Sequence, residues 1–136
     1  MNIKIREKFI YLGYAGILIM WIALFFPYRI IRFVSSLKIS SVENGFEYFS
    51  FLDIGIMVIL TISVVLRSRV GAFIFSIYFI LYTIIRVFNK NLFACWCGTL
   101  EEFQYGSIII FIGAIMCLLY SIFYKNPKII KENIQK

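Results

Sequence analysis

With 136 residues the chain has the length of one domain, and 62% of those residues are hydrophobic, 19% aromatic and only 15% charged, with a mean hydropathy of +0.90. A soluble domain of this size cannot hide that much apolar surface, so lipid is the expected solvent for much of the chain. The net charge of +7 sits in short basic clusters at the edges of apolar runs, which fits membrane flanks and argues against a nucleic-acid groove. The absence of histidine excludes His-ligated haem, the usual zinc and copper sites, and His general-base catalysis.

Four apolar runs follow one another, over residues 9–27, 49–66, 70–88 and 106–124. Each has about the length that a helix rising ~1.5 Å per residue needs to cross ~30 Å of hydrocarbon. The first follows Lys4, Arg6 and Lys8 as a signal peptide would, but it ends in "FFPYRI" instead of a small-residue cleavage site and is read as a retained helix. The expected fold class is all-α: a single integral membrane domain, 1–136, forming a four-transmembrane-helix bundle.

The connections are unequal. "RSRV" between the second and third runs makes a tight antiparallel hairpin, whereas residues 28–48 and 89–105 form longer loops on the other side. Lys4, Arg6, Lys8, Arg67, Arg69, Lys125, Lys128, Lys131 and Lys136 fall on the hairpin side; Arg29, Arg32, Lys38, Arg86 and Lys90 fall on the loop side with most of the acids. That bias places both termini in the cytoplasm and both long loops outside the cytoplasmic membrane. In the first loop, "RFVSSLKISSV" alternates in part and predicts either a short strand or an interfacial segment.

Two charges lie close to lipid. Counted from the hairpin, Asp53 and Arg86 reach similar depth near the outer face, so an ion pair or shared hydrogen-bond network is expected, extended by Thr83 and Ser76 on the Arg86 face. A proton-relay role for Asp53 is the alternative. Near the start of the fourth run stands "NLFACWCGTLEEF", in which Cys95 and Cys97 flank Trp96 and precede Gly98. Outside the membrane a disulfide persists, and one between residues i and i+2 closes a small, strained, exchange-prone ring. The alternative is that both cysteines are small hydrophobes in a tight turn. Glu101 is either a proton acceptor for the thiols or, with Glu102, an acidic pair favourable at the next helix N-terminus. Cys117 lies ~16 Å deeper in the fourth run, out of reach of the pair and in line with Gly106, Ile110 and Gly113, a stripe suited to close helix approach. Two sulfurs without histidine make a poor metal site.

Over residues 49–124 these features resemble the MauE and DoxX-like four-helix membrane proteins: Asp53 early in the second run, Arg67 and Arg69 in the basic turn, an aromatic third run, then Cys95, Cys97, Gly98, Leu100 and Glu101 before the last helix. Aspartate stands where the family carries glutamate, and the residues before 49 lack the family's pattern. The resemblance implies a thiol/disulfide redox role on the extracytoplasmic face, supporting disulfide formation or maturation of exported proteins. Cys95 and Cys97 would cycle between dithiol and disulfide with a thioredoxin-like or client protein, and a quinone is the implied electron acceptor. The competing expectation is a non-enzymatic accessory, assembly or immunity-type membrane subunit. A transporter has least support, since there is no mid-membrane acid, inverted repeat or Pro-broken helix pair.

Overall fold

The computed structural model describes residues 3–33, 39–88 and 99–124. Helix α1 (Ile3–Ala23) leads into strand β1 (Pro27–Phe33), which is followed by β2 (Ile39–Asn44) and a single helical turn, α2 (Gly45–Tyr48). Helices α3 (Phe51–Val65) and α4 (Arg69–Phe88) form a hairpin, and β3 (Thr99–Phe103) precedes the last helix, α5 (Tyr105–Phe123).

The fold is mostly helical, and the all-α expectation is too narrow. The three strands form one antiparallel sheet in the order β2-β1-β3, built from both long loops. Strand β1 is rich in the branched and aromatic residues that suit a pleated surface: Tyr28, Ile30, Ile31 and Phe33. Ile30 stands opposite Val42 on one side and Glu102 on the other. Pro27 opens the central strand, the position where a missing N–H costs no ladder bond. The first apolar run therefore ends its helix four residues before Pro27, in a tightened turn with Phe26 N–H donating to Ala23 O at 3.1 Å.

The α3–α4 turn works without glycine. Arg67 adopts φ 59°, its N–H donates to Val64 O at 3.0 Å, and Ser68 N–H donates to Ser63 O at 2.7 Å, the two bonds of a Schellman closure. Ser68 stands directly before α4, its O accepting from Ala72 N–H at 3.1 Å.

In the bundle α5 packs on α1 and α4, and α3 packs on α4 and α1. The α1–α5 crossing is the tightest. A Cβ on Gly16 would lie 2.7 Å from Gly113 O, and one on Gly113 would lie 2.5 Å from Met20 Cγ. Cys117 fills the same seam, buried with its Sγ 3.7 Å from Gly13 O. The small-residue stripe of α5 is thus spent on α1 of the same chain. A second tie runs from Trp21 Nε1–H to Thr61 Oγ1 at 3.0 Å, joining α1 to α3.

Two ends result. The sheet covers the end where α1 and α4 finish and α3 and α5 begin; the other end holds the start of α1, the Arg67 turn and the end of α5, where the Phe9 and Phe123 rings stand 5.2 Å apart. By length and composition, among the described residues, Tyr105–Phe123 is long and apolar enough to cross a membrane; the apolar stretches Lys8–Ala23, Phe51–Val65 and Arg69–Ile85 are shorter.

The crossing gives a direct test. Gly113→Leu is expected to destabilise the protein by about 1–3 kcal/mol through overpacking, read as a fall in thermal midpoint in a fixed detergent. Gly55 has open space around it, so Gly55→Ala is expected to be neutral or to stabilise by up to about 1 kcal/mol.

Candidate functional site

The polar groups of greatest interest lie where the helices meet the sheet. Ser50 precedes α3 and Asp53 is its third residue, so the run Ser-Phe-Leu-Asp forms a capping box. Ser50 N–H and Oγ–H donate to Asp53 Oδ2 at 3.1 and 2.7 Å, and Asp53 N–H donates to Ser50 Oγ at 3.3 Å. The other carboxylate oxygen, Oδ1, accepts from Tyr78 Oη–H of α4 at 2.5 Å. Asp53 is only 6% exposed. Its charge is met by three donors and by the positive end of the α3 dipole, an arrangement that favours a positioning role.

Tyr78 belongs to an aromatic cluster beneath the sheet. Its ring stacks on Tyr82 at 5.8 Å and meets Phe79 edge-on at 5.3 Å. Phe49 touches Tyr82 at 5.7 Å and Tyr28 of β1 at 5.0 Å. The cluster therefore links the capped carboxylate to the central strand. On the sheet itself Arg29 and Glu43 face each other in register, and the Arg29 Nη2–Glu43 Oε2 pair is 2.6 Å long with Nε at 3.0 Å from the same oxygen. This pair, Ser50 and Tyr78 carry the local polar structure and were not singled out from sequence. The capping-box spacing Ser50-x-x-Asp53 was the available signal.

The expected site residues distribute as follows. Cys95 and Cys97 lie outside the described residues. Thr99 opens β3 two positions after Cys97, so the chain leaves that segment on the sheet-covered end. Glu101 is in β3 opposite Ile31, and Glu102 opposite Ile30; both belong to a strand, not to the lead-in of a helix, and their side chains lie outside what is described. Arg86 is near the end of α4, and its side chain likewise lies outside the description, as does any pairing with Asp53. Thr83 is buried, and its Oγ1 has no hydrogen-bond partner among the described residues. Ser76 does not extend an Asp53 network: its Oγ–H donates back to Ala72 O within α4 at 2.5 Å. Among the described residues there is no cluster of three or more potential metal ligands.

No family model, curated protein or solved structure matches the chain. The reading of the site rests on its own geometry.

If the Asp53–Tyr78 bond holds α3 to α4, Tyr78→Phe and Asp53→Asn should each cost about 1–2 kcal/mol, with the double variant costing less than the sum. A double-mutant cycle of unfolding free energies measures that coupling, and strict additivity would show that the two groups act independently.

Proposed function

We propose that the chain is a multi-pass protein of the cytoplasmic membrane with four spans and both termini in the cytoplasm. On this reading its outer face presents Cys95 and Cys97 for thiol–disulfide exchange with exported proteins. The observation that carries the membrane part is the outer surface of the bundle. Large apolar side chains stand exposed on all four long helices, among them Tyr11 and Leu18 on α1, Phe51 and Leu52 on α3, Val70 and Ile74 on α4, and Ile108 on α5. A surface of that kind on every helix suits lipid and is costly in water. The shorter apolar stretches match a thinner crossing flanked by tyrosine, tryptophan and basic residues.

The redox part is supported by the connection order: the segment bearing the cysteines joins α4 to β3 on the sheet-covered end. In the forward reaction a client dithiol attacks the Cys95–Cys97 disulfide. Two electrons and two protons pass to the pair, leaving a client disulfide and two thiols. Reoxidation passes the same two electrons and two protons to a membrane quinone, giving the quinol. The aromatic rings near Asp53 pack on one another, so none of them is assigned to holding the quinone. Glu101, if it accepts a thiol proton, acts from the middle of β3.

A second reading, a non-enzymatic accessory or assembly subunit, draws on the sheet. Strands β2 and β3 each have one edge unpaired among the described residues, and such edges accept a partner strand. The α5 stripe does not support it, since α1 fills that stripe.

The test replaces Cys95 and Cys97 together with serine and follows oxidation of an exported two-cysteine client in intact cells. The expected result is accumulation of reduced client, together with alkylation of the wild-type pair by an impermeant maleimide only after reduction. Unchanged client oxidation would sink the redox reading and leave the accessory one.

A further inference from the structure

The end of the bundle away from the sheet carries a feature that the redox reading does not use. A groove of about 550 Å³ runs between the start of α4 and the end of α5, lined by Arg69, Val70, Phe73, Ser121 and Ile122. Arg69 sits at its polar end. Its Nε–H donates to Ser121 O at 2.9 Å and one Nη2–H donates to Ile122 O at 3.0 Å, so the last carbonyls of α5 fix the guanidinium in place. These are the carbonyls that a helix end leaves without an intrahelical partner, and the negative end of the helix dipole favours a cation there.

Two bonds use two of the five guanidinium N–H groups; the other three have no protein partner among the described residues. Arg69 is exposed, and so is Arg67 next to it in the turn. No acidic residue occurs in α4 or α5, and Asp53, the sole acid of α3, is at the opposite end; Glu7 of α1 belongs to this end, with its side chain outside the description. Neither arginine has a carboxylate partner among the described residues. The cation is therefore held by neutral carbonyls, with no anion beside it among the described residues. Below it the groove is apolar, with Val70, Phe73 and Ile122 each more than two-fifths exposed.

A fixed guanidinium with spare donors above an apolar slot matches a phosphodiester joined to an acyl chain. We propose that this groove binds an anionic phospholipid of the inner leaflet, its phosphate on Arg69 with Arg67 beside it, and its chain along Phe73 and Ile122. Arginine suits the task because its planar fork meets phosphate oxygens in pairs, which a lysine ammonium does not. A zwitterionic lipid presents the same phosphate but adds a cation that the two arginines repel, so the site discriminates by headgroup charge. The proposal rests on the membrane reading above and is independent of the cysteines.

The experiment uses the full chain in nanodiscs of equal phosphatidylglycerol and phosphatidylcholine, with retained lipids counted by native mass spectrometry after release. The wild type should retain phosphatidylglycerol over phosphatidylcholine by about five- to thirtyfold, the size expected of one or two basic contacts to an anionic surface. Arg69→Gln should bring that ratio near parity. Ile122→Trp, which fills the slot and leaves both arginines, should do the same while circular dichroism stays that of the wild type. Retention of the preference by Ile122→Trp would mean diffuse surface charge and overturn the site. So would parity in the wild type, or a rise in thermal midpoint with inorganic phosphate alone as large as that with phosphatidylglycerol. Alkaline carbonate extraction of cell membranes separates the two failures: release of the chain refutes the membrane reading itself, whereas retention with lipid parity refutes only the groove.

Discussion

The close approach of α1 and α5 at Gly16 and Gly113 is the constraint from which the other features follow. Backbone oxygen stands where a Cβ would otherwise lie on both sides of the crossing. So close an approach makes the dispersion contacts between the two helices dense. The crossing spends Gly13, Gly16, Gly113 and Cys117 inside one chain. It also fixes the distance between the sheet-covered end of α1 and the start of α5, the points next to β1 and β3. A Cβ on Gly106 would be 2.9 Å from Pro27 O, so the first turn of α5 rests directly on the entry to β1.

The sheet then solves a backbone problem. Two segments leaving a helical bundle carry N–H and C=O groups that need partners. Pairing the loops with each other satisfies them, and the seam to the helices is closed by Gly45 N–H on Leu24 O and Gln104 N–H on Tyr28 O, both at 3.0 Å. The aromatic cluster fills the space beneath. Asp53 fits the same logic: a carboxylate that caps its own helix and receives Tyr78 ties α3 to α4 immediately under the cap. Strand β3, which the chain enters after Cys97, is braced by its pairing with the central strand.

Much of the helical layout was legible in the sequence because it depends on local runs. The runs 49–66 and 106–124 correspond to Phe51–Val65 and Tyr105–Phe123 within two residues at each end. The first run overshot because Phe25, Phe26 and Pro27 are apolar yet belong to a turn and a strand. Hydropathy does not distinguish those fates, although the proline did mark the break. The hairpin in residues 28–48 was half legible from alternation, but Thr99–Phe103 was not. Its pairing partner is some seventy residues away, and two glutamates in five residues read as a helix lead-in. Tyr78 as a partner of Asp53 was not legible for a related reason. Counting rise along two straight axes compares groups at equal depth and leaves out the reach of a tyrosine nearer the turn. Cys117 was legible as a packing residue because its alignment with Gly106, Ile110 and Gly113 is a property of a single helix.

The two ends of the bundle also differ in how they treat charge among the described residues. At the sheet end Arg29 meets Glu43 across the strands and Asp53 is satisfied by three donors. At the other end Arg69 leans on the carbonyls of Ser121 and Ile122, with no carboxylate beside it among the described residues. The same arginine thereby finishes α5 and secures α4 against it.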